Sequence, residues 1–530
     1  MTERNCGEAA IALLEAYGVD TVFGIPGVHT LDLYRGLARS RIRHVLARHE
    51  QGAGFMADGY ARVTGRPGVV LPITGPGVTN AATAIGQAYS DSVPMLVLSS
   101  ENPTKDLGLG RGRLHEITSQ ERVTAPLCAF SATVRRPEEI PALIHRAFAH
   151  FASARPRPVH ISVPLDVLAA PAAFAIEARP LPSRPQPDQD ALARATKLLD
   201  TAERPAIIAG GGAVGAEEPL RTLAERIGAP VVLTVAGKGL LPETHPLCLG
   251  GTLASPDTQA LLGMADLILA VGTELAETDW WMEDLPLGRL IRIDIDEKQM
   301  AGAYPAEEEI VADAAPALAA LLDRLGRRNR PGGLAEKVAA VRSRIASGTS
   351  ALRRKHLVLL ETVRKAVPEE TAILTDMTQI AYSGNARYPS TRPRSWHHPN
   401  GFGTLGWSLP AAIGAKLARP DLPVLSIIGD AGILFSIQEL STAANLHLSL
   451  PILLWNNDGL GQIRDDMIER KIPVIGVSPE NPDYQLLATA FGCRAVRPGS
   501  LGEVAEALKL ALLADRPTVI EVRQDAAFLS

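Results

Sequence analysis

Short continuous apolar runs recur along the chain at residues 69–73, 95–98, 159–163, 206–209, 231–233, 267–271, 424–428 and 451–455. Runs of this length without polar alternation predict strands buried on both faces of a parallel sheet. Between them the period lengthens. At 436–446 the apolar positions Ile437, Leu440 and Ala444 have helical spacing. Strand and helix alternate from end to end, which predicts an α/β protein of stacked parallel-sheet domains.

Two stretches break the alternation. Residues 179–187 hold four prolines and read as an extended tether, while the charged stretch 342–355 reads as a helical connector. They divide the chain into segments 1–180, 188–345 and 356–530, in keeping with the roughly three domains expected of 530 residues. No fixed short repeat is apparent.

Composition narrows the class. The net charge is only −5 and basic residues form no long block, so neither nucleic acid nor an anionic membrane is an expected partner, and small molecules are. Cys6, Cys128, Cys248 and Cys493 lie far apart without metal or redox spacing, which argues for reduced thiols. The N-terminus has no apolar signal core and no apolar run reaches the ~20 residues of a membrane span, so the expected compartment is the cytoplasm.

The chemistry concentrates at strand ends. Gly429-Asp430-Ala431-Gly432 follows the run 424–428, and Asn456-Asn457-Asp458-Gly459 follows 451–455, with Asp430 and Asn457 separated by 27 positions. A right-handed crossover brings both to one rim of the sheet. There Asp430 supplies charge, the Asn457 side chain a carbonyl oxygen and Gly459 a main-chain oxygen, a set suited to Mg²⁺ shared with substrate phosphates. The glycines let backbone N–H groups approach a diphosphate beside a helix N-terminus. Near the other end of the chain, Arg48-His49-Glu50-Gln51-Gly52-Ala53-Gly54 puts Glu50 at the head of a helix rich in small residues. A carboxylate there can serve simply as a cap on the helix dipole.

Together these segments resemble the thiamine diphosphate enzymes, in the acetolactate synthase-like order of pyrimidine-binding, central Rossmann-like and diphosphate-binding domains. Gly-Asp followed after nearly thirty residues by Asn-Asn resembles the family's diphosphate and Mg²⁺ anchor, with Ala431 where glycine is usual. The resemblance implies that Glu50 hydrogen-bonds N1′ of the cofactor's aminopyrimidine, favouring the imino tautomer whose 4′-nitrogen removes the C2 proton. The turns bearing Pro26 and Thr74 to Asn80 resemble those framing the pyrimidine. Gly401-Phe402-Gly403-Thr404-Leu405-Gly406 resembles the segment that bends the cofactor, with Leu405 as wedge and the Gly403 carbonyl as acceptor. Thr378, Gln379, Gly429, Gly432, Leu460 and Gly461 complete the implied cofactor contacts. A dimer would be the smallest active unit, with a homotetramer expected.

Two departures bear on function. The central segment has a nucleotide-like turn, Gly210-Gly211-Gly212, but Val271-Gly272 is followed by Glu274, Glu277 and Asp279 where FAD-binding synthases carry arginine. FAD is therefore not expected. After Asn457 the chain continues Leu460-Gly461-Gln462-Ile463-Arg464-Asp465-Asp466, where synthases carry apolar residues and a tryptophan. Adjacent acids on a helix face different ways and are commonly solvated; the other reading is that one of them pairs with a cationic substrate tail.

Within the family, these segments and Gly24-Ile25-Pro26-Gly27-Val28-His29 resemble the branch that decarboxylates 5-guanidino-2-oxopentanoate to 4-guanidinobutanal, a reaction of arginine breakdown. Val28, His29, His115, Gln462, Asp465 and Asp466 are then the candidate substrate residues. His29 and His115 are candidate carboxylate binders or proton relays, each with a structural role as the other reading. An acetolactate synthase-like carboligase is the alternative activity, and a non-catalytic paralogue the alternative class, against which the intact Glu50, Leu405, Asp430 and Asn457 speak.

Overall fold

The computed structural model describes residues 4–282, 284–285, 287–326 and 333–530. Three six-stranded sheets follow one another along the chain, and every pairing within them is parallel. Their central strands are buried along their whole length, because helices cover both faces.

Across the first sheet the strands are Arg43–Leu46, Thr21–Gly24, Gly68–Leu71, Met95–Glu101, Val159–Pro164 and Phe130–Thr133. The second runs Glu308–Val311, Leu290–Asp294, Leu267–Val271, Pro205–Ala209, Val231–Leu233 and Cys248–Gly250. Numbered by chain order within the domain, this is six, five, four, one, two, three, the doubly wound arrangement in which ligands bind where the order reverses. The third runs Trp396–His397, Ala372–Thr375, Val424–Gly429, Pro451–Asn456, Thr518–Arg523 and Arg494–Val496.

The expected strands fall where the apolar runs lie, with shifted ends. The run 69–73 yields only Gly68–Leu71, because Pro72 cannot donate to a ladder. The helix expected at 436–446 narrows to Glu439–Asn445, preceded by hydrogen-bonded turns. The connector at 342–355 is two helices, Leu334–Ser347 and Ala351–Ala366, separated at Gly348. Ser350 caps the second through the Arg353 N–H, which starts a new helix there. Residues 179–187 form neither helix nor strand.

The outer domains share one core. The helix Glu50–Thr64 packs along Ser408–Ala418, and Phe55, Met56, Ala57, Trp407, Leu409 and Ala411 belong to the same buried cluster. Small residues permit the close approach: a Cβ at Gly59 would overlap the Ala411 carbonyl, and one at Gly414 the Met56 carbonyl. Arg62 ties the seam, donating to Asp58 and to Asp91 at 2.6 Å each, while Trp407 Nε1 donates to Asp58 at 3.1 Å. A buried charge is tolerable only with such partners.

Candidate active site

The diphosphate side is built at the rim of the third sheet. Gly429 ends its strand opposite Trp455, so Asp430 and Asn457 emerge side by side. Asp430 Oδ2 accepts the Gly459 N–H at 2.8 Å and Asn481 Nδ2 at 2.7 Å, and the Tyr484 hydroxyl donates to the Asp430 main-chain oxygen at 2.9 Å. Burial raises the Asp430 pKa, against these hydrogen bonds.

Asn457 gives the fit test for a cation. Its Nδ2 donates to Gln379 Oε1 at 3.0 Å, and its side-chain oxygen then lies 3.0 Å from Asp430 Oδ1 and 2.8 Å from the Gly459 carbonyl oxygen. Three oxygens facing one another repel unless a cation lies among them; rotating the amide would instead offer its N–H groups to the other two. Mg²⁺ with ligands at ~2.0–2.1 Å in an octahedron requires neighbouring oxygens about 2.9 Å apart, the spacing found here. The residues fit Mg²⁺.

Around this triangle the backbone leaves room. Gly459 has φ +132°, and a Cβ there would overlap the Val477 carbonyl. A side chain at Gly461 would strike the Asn457 amide, and Leu460 is held by its N–H to Val477 at 2.8 Å. Ala431 is buried, so the methyl in place of the usual glycine is accommodated. Thr378 sits beside Gly429. Gly403 and Gly406 adopt φ +66° and +78°, and Leu405 between them is half-buried.

The adjacent acids diverge. Asp465 turns toward the rim and accepts Gln379 Nε2 at 2.7 Å, whereas Asp466 accepts Gln462 Nε2 at 3.0 Å along its own helix. Gln379 thus connects Asn457 to Asp465, and only Asp465 of the pair is joined to the triangle.

The pyrimidine side is built at the rim of the first sheet. Glu50 is the first residue of its helix and only 8% exposed; His49 caps that helix through the Gln51 N–H. Asn80 Nδ2 donates to Glu50 Oε2 at 3.0 Å, fixing the carboxylate. Pro26, Val28 and His29 follow the strand Thr21–Gly24; Val28 is 62% exposed and His29 buried. His29 and His115 stand with ring centroids 5.1 Å apart, and each has a buried Nδ1 without a hydrogen-bond partner. Burial, and then the neighbouring His115, lower the His29 pKa, which favours the neutral ring. Thr74 points into the domain, where its hydroxyl donates to Glu101 at 3.2 Å.

Family models match across nearly the full arrangement. Residues 4–123 match the thiamine pyrophosphate enzyme N-terminal TPP-binding domain, 192–321 the central domain and 376–522 the C-terminal TPP-binding domain. The chain belongs to the thiamine pyrophosphate enzymes. Among the relatives of this thiamine pyrophosphate enzyme, the probable 2-ketoarginine decarboxylase AruI of Pseudomonas aeruginosa is 52% identical over 530 residues, covering 99% of this chain and 94% of that protein. The acetolactate synthase isozyme 1 large subunit of Escherichia coli is 32% identical, covering 98% and 94%. The acetolactate synthase large subunit of Corynebacterium glutamicum is 34% identical, covering 99% and 88%.

Sequence reasoning missed several groups that shape the two rims. Asn481 and Tyr484 hold Asp430 from 51 and 54 positions away, with no local motif to signal it. Asp376, pushed up to about 7 by burial, accepts the Gly406 N–H at 2.8 Å and anchors the segment bearing Leu405. Gln120 accepts the Gly75 N–H at 2.7 Å and donates to Glu101 at 2.7 Å, setting the turn after the third strand.

A cleft of about 320 Å³ lies where the central domain's strand order reverses, closed on its other sides by residues of the outer domains that include Arg62 and Arg394. Gly210, Gly211 and Gly212 line it with Glu274, Asp279 and Asp294. Arg155 from the first domain enters and pairs with Glu274 at 2.8 Å. Burial holds Asp279 up at about 7.

Proposed function

We propose that the protein decarboxylates 5-guanidino-2-oxopentanoate to 4-guanidinobutanal and CO₂, using thiamine diphosphate and Mg²⁺. The 52% identity to a probable 2-ketoarginine decarboxylase supports the reaction, and the placement of Asp465 beside Asn457 carries the substrate. When bound, thiamine diphosphate supplies the electron sink for the pair released as the carboxylate leaves.

The chain's residues do the rest. Asp430, Asn457 and Gly459 hold the metal that neutralises the diphosphate, and Gln379 keeps the Asn457 oxygen turned inward. Glu50, fixed by Asn80, shares a proton at the pyrimidine N1′. Leu405 and the Gly403 carbonyl would hold the bound cofactor in its bent form. His29 and His115, each with a buried Nδ1 that has no partner, would orient the substrate carboxylate and return a proton to product. Asp465, whose Oδ2 accepts Gln379 and whose Oδ1 lies 3.9 Å from Arg464 Nε, would accept the guanidinium, since a carboxylate suits that planar fork of donors. Gln462 and Asp466 extend that wall.

The domain limits assigned are 1–180 for the pyrimidine unit, 188–345 for the central unit and 356–530 for the diphosphate unit. Apolar side chains left open beside each rim support a dimer or tetramer: Val28, Leu31 and Leu114 on one side, and Phe435, Ile463 and Ile475 on the other. The acids around the central cleft support operation without FAD. Four buried, unpaired cysteines support the reducing cytoplasm, and among the described residues no helix is long and apolar enough to cross a membrane.

CO₂ release from 5-guanidino-2-oxopentanoate, pyruvate and phenylpyruvate tests the assignment. Asp465→Asn should cost on the order of 2–5 kcal/mol for the guanidino acid and little for the other two, with Asp466→Asn milder. Equal losses on all three acids reject the guanidinium role. Condensation with an added acceptor aldehyde in preference to aldehyde release would instead assign a carboligase.

A further inference from the structure

Glu439 lies nine positions beyond Asp430 in the third domain, yet the backbone groups its carboxylate binds are in the first. It is fully buried. Its carboxylate accepts the Arg48 N–H at 3.0 and 3.2 Å, the His49 N–H at 3.0 Å and the Thr442 hydroxyl at 2.8 Å. The two peptides it binds immediately precede Glu50, outside the hydrogen-bonded ladder of that helix, where backbone N–H groups lack intrahelical partners.

The contact is built rather than incidental. Arg48 Nε donates to the Ser441 hydroxyl at 2.9 Å, so the helix that Glu439 begins also holds the Arg48 side chain. On the helix side Gly52 leaves the space: a Cβ there would overlap the Glu439 carboxylate. A glycine inside a helix costs stability relative to alanine, and here it makes room for an acid from another domain.

We propose that Glu439 is a positioning residue for Glu50, holding the Arg48-His49 turn so that the Glu50 carboxylate meets the pyrimidine. This rests on the role assigned to Glu50 above. The anionic carboxylate suits the site, because both backbone N–H groups reach its Oε1 and hydrogen bonds to an ionised oxygen are stronger than those to the neutral acid. Desolvation raises the Glu439 pKa to about 7, so the grip weakens just below neutrality. The charged and titratable groups around it are Arg48 and His49 of the opposing turn and Glu50 beyond them, whose carboxylate turns to Asn80. The packed helix Ser408–Ala418 adds only Lys416, which is tied to the Pro420 and Leu422 carbonyls.

The test compares pH profiles of kcat for CO₂ release by the cofactor-loaded protein and by Glu439→Gln, Gly52→Ala and Glu50→Gln. The wild-type rate should fall through an acid limb near pH 7. Glu439→Gln, locked in the neutral form, should lose that limb and run near the low-pH rate of the wild type, roughly tenfold down, with substrate KM little changed. Gly52→Ala, which keeps the acid but displaces it, should lower kcat in the same way while retaining the thermal midpoint, so it decides the matter if Glu439→Gln does not fold. Wild-type kcat in both variants, or an acid limb that survives in Glu439→Gln, overturns the proposal. Wild-type turnover in Glu50→Gln would overturn the role of Glu50 itself, a separate failure.

Discussion

The first and third sheets have the same strand order: second, first, third, fourth, sixth, fifth by position within each domain. Their rims carry opposite chemistry. After its third strand the first domain has Thr74-Gly75-Pro76, while the third domain has Asp430; after the fourth strand the first has Asn102 and the third Asn457. The first domain's acid, Glu50, instead follows its second strand, where the third domain has His398 and Pro399. Equal topology delivers side chains to equal places, and the residue types decide whether a place grips a metal or holds a proton. A shared ancestry of shape therefore says little about which rim does chemistry and which does binding.

The largest loss should follow from neutralising the first domain's acid. Glu50→Gln keeps the size of the side chain and one acceptor for Asn80, but removes the carboxylate that shares the N1′ proton. CO₂ release should fall by about 10²–10⁴-fold, while titration calorimetry with thiamine diphosphate and Mg²⁺ should still show binding, since the third domain holds the phosphates. Loss of binding together with activity would mean that the two rims do not divide the work.

The converse perturbation belongs on the third domain and is smaller. Asn481 touches no expected ligand position, yet it donates to Asp430 Oδ2 at 2.7 Å and so orients the carboxylate. Asn481→Ala should weaken Mg²⁺ by roughly 10–100-fold, as lost support for a metal ligand typically does. The readout is the Mg²⁺ concentration for half-maximal activity, with kcat returning near the parent value at saturation. A lowered kcat at saturating Mg²⁺ would place Asn481 in the chemistry instead.

These two variants also mark what was legible beforehand. Asp430 and Asn457 could be read because strand, turn and helix signals lie within a few residues of each, and a crossover rule carries them to one rim. Glu50 was readable as a helix-leading acid. Asn481 and Glu439 were not, because their partners are fixed by folding of distant segments: Asn481 arrives after a long excursion, and Glu439 crosses to another domain. The acid pair shows the same limit more finely. Spacing says that Asp465 and Asp466 diverge, but only the packed position of Gln379 says that Asp465 is the one turned toward the metal triangle. Strand ends slipped by a residue or two where proline intervenes, as at Pro72, and the single expected connector became two helices at Gly348 because a local cap outcompetes continuation.

The smallest effect is expected in the central domain, whose reversed strand order and Gly210-Gly211-Gly212 turn form the place where a nucleotide would sit in such a sheet. The cleft there is lined by Glu274, Asp279 and Asp294 together with Arg62, Arg155, Arg184 and Arg394; Arg62 is held by Asp58 and Asp91, Arg155 by Glu274 at 2.8 Å and Arg184 by Asp313 at 3.1 Å. A flavin diphosphate reaching the glycine turn would meet Glu274 and compete with the carboxylates that already hold these cations. The purified protein should accordingly show no flavin absorbance and gain none on incubation with FAD. Glu274→Gln removes a partly exposed ion pair worth about 0–1 kcal/mol, so its thermal midpoint and CO₂ release should stay close to those of the parent. If the variant acquires flavin, the acid was the barrier and the glycine turn remains a competent phosphate cradle; if it does not, the cleft is closed to flavin by more than one charge.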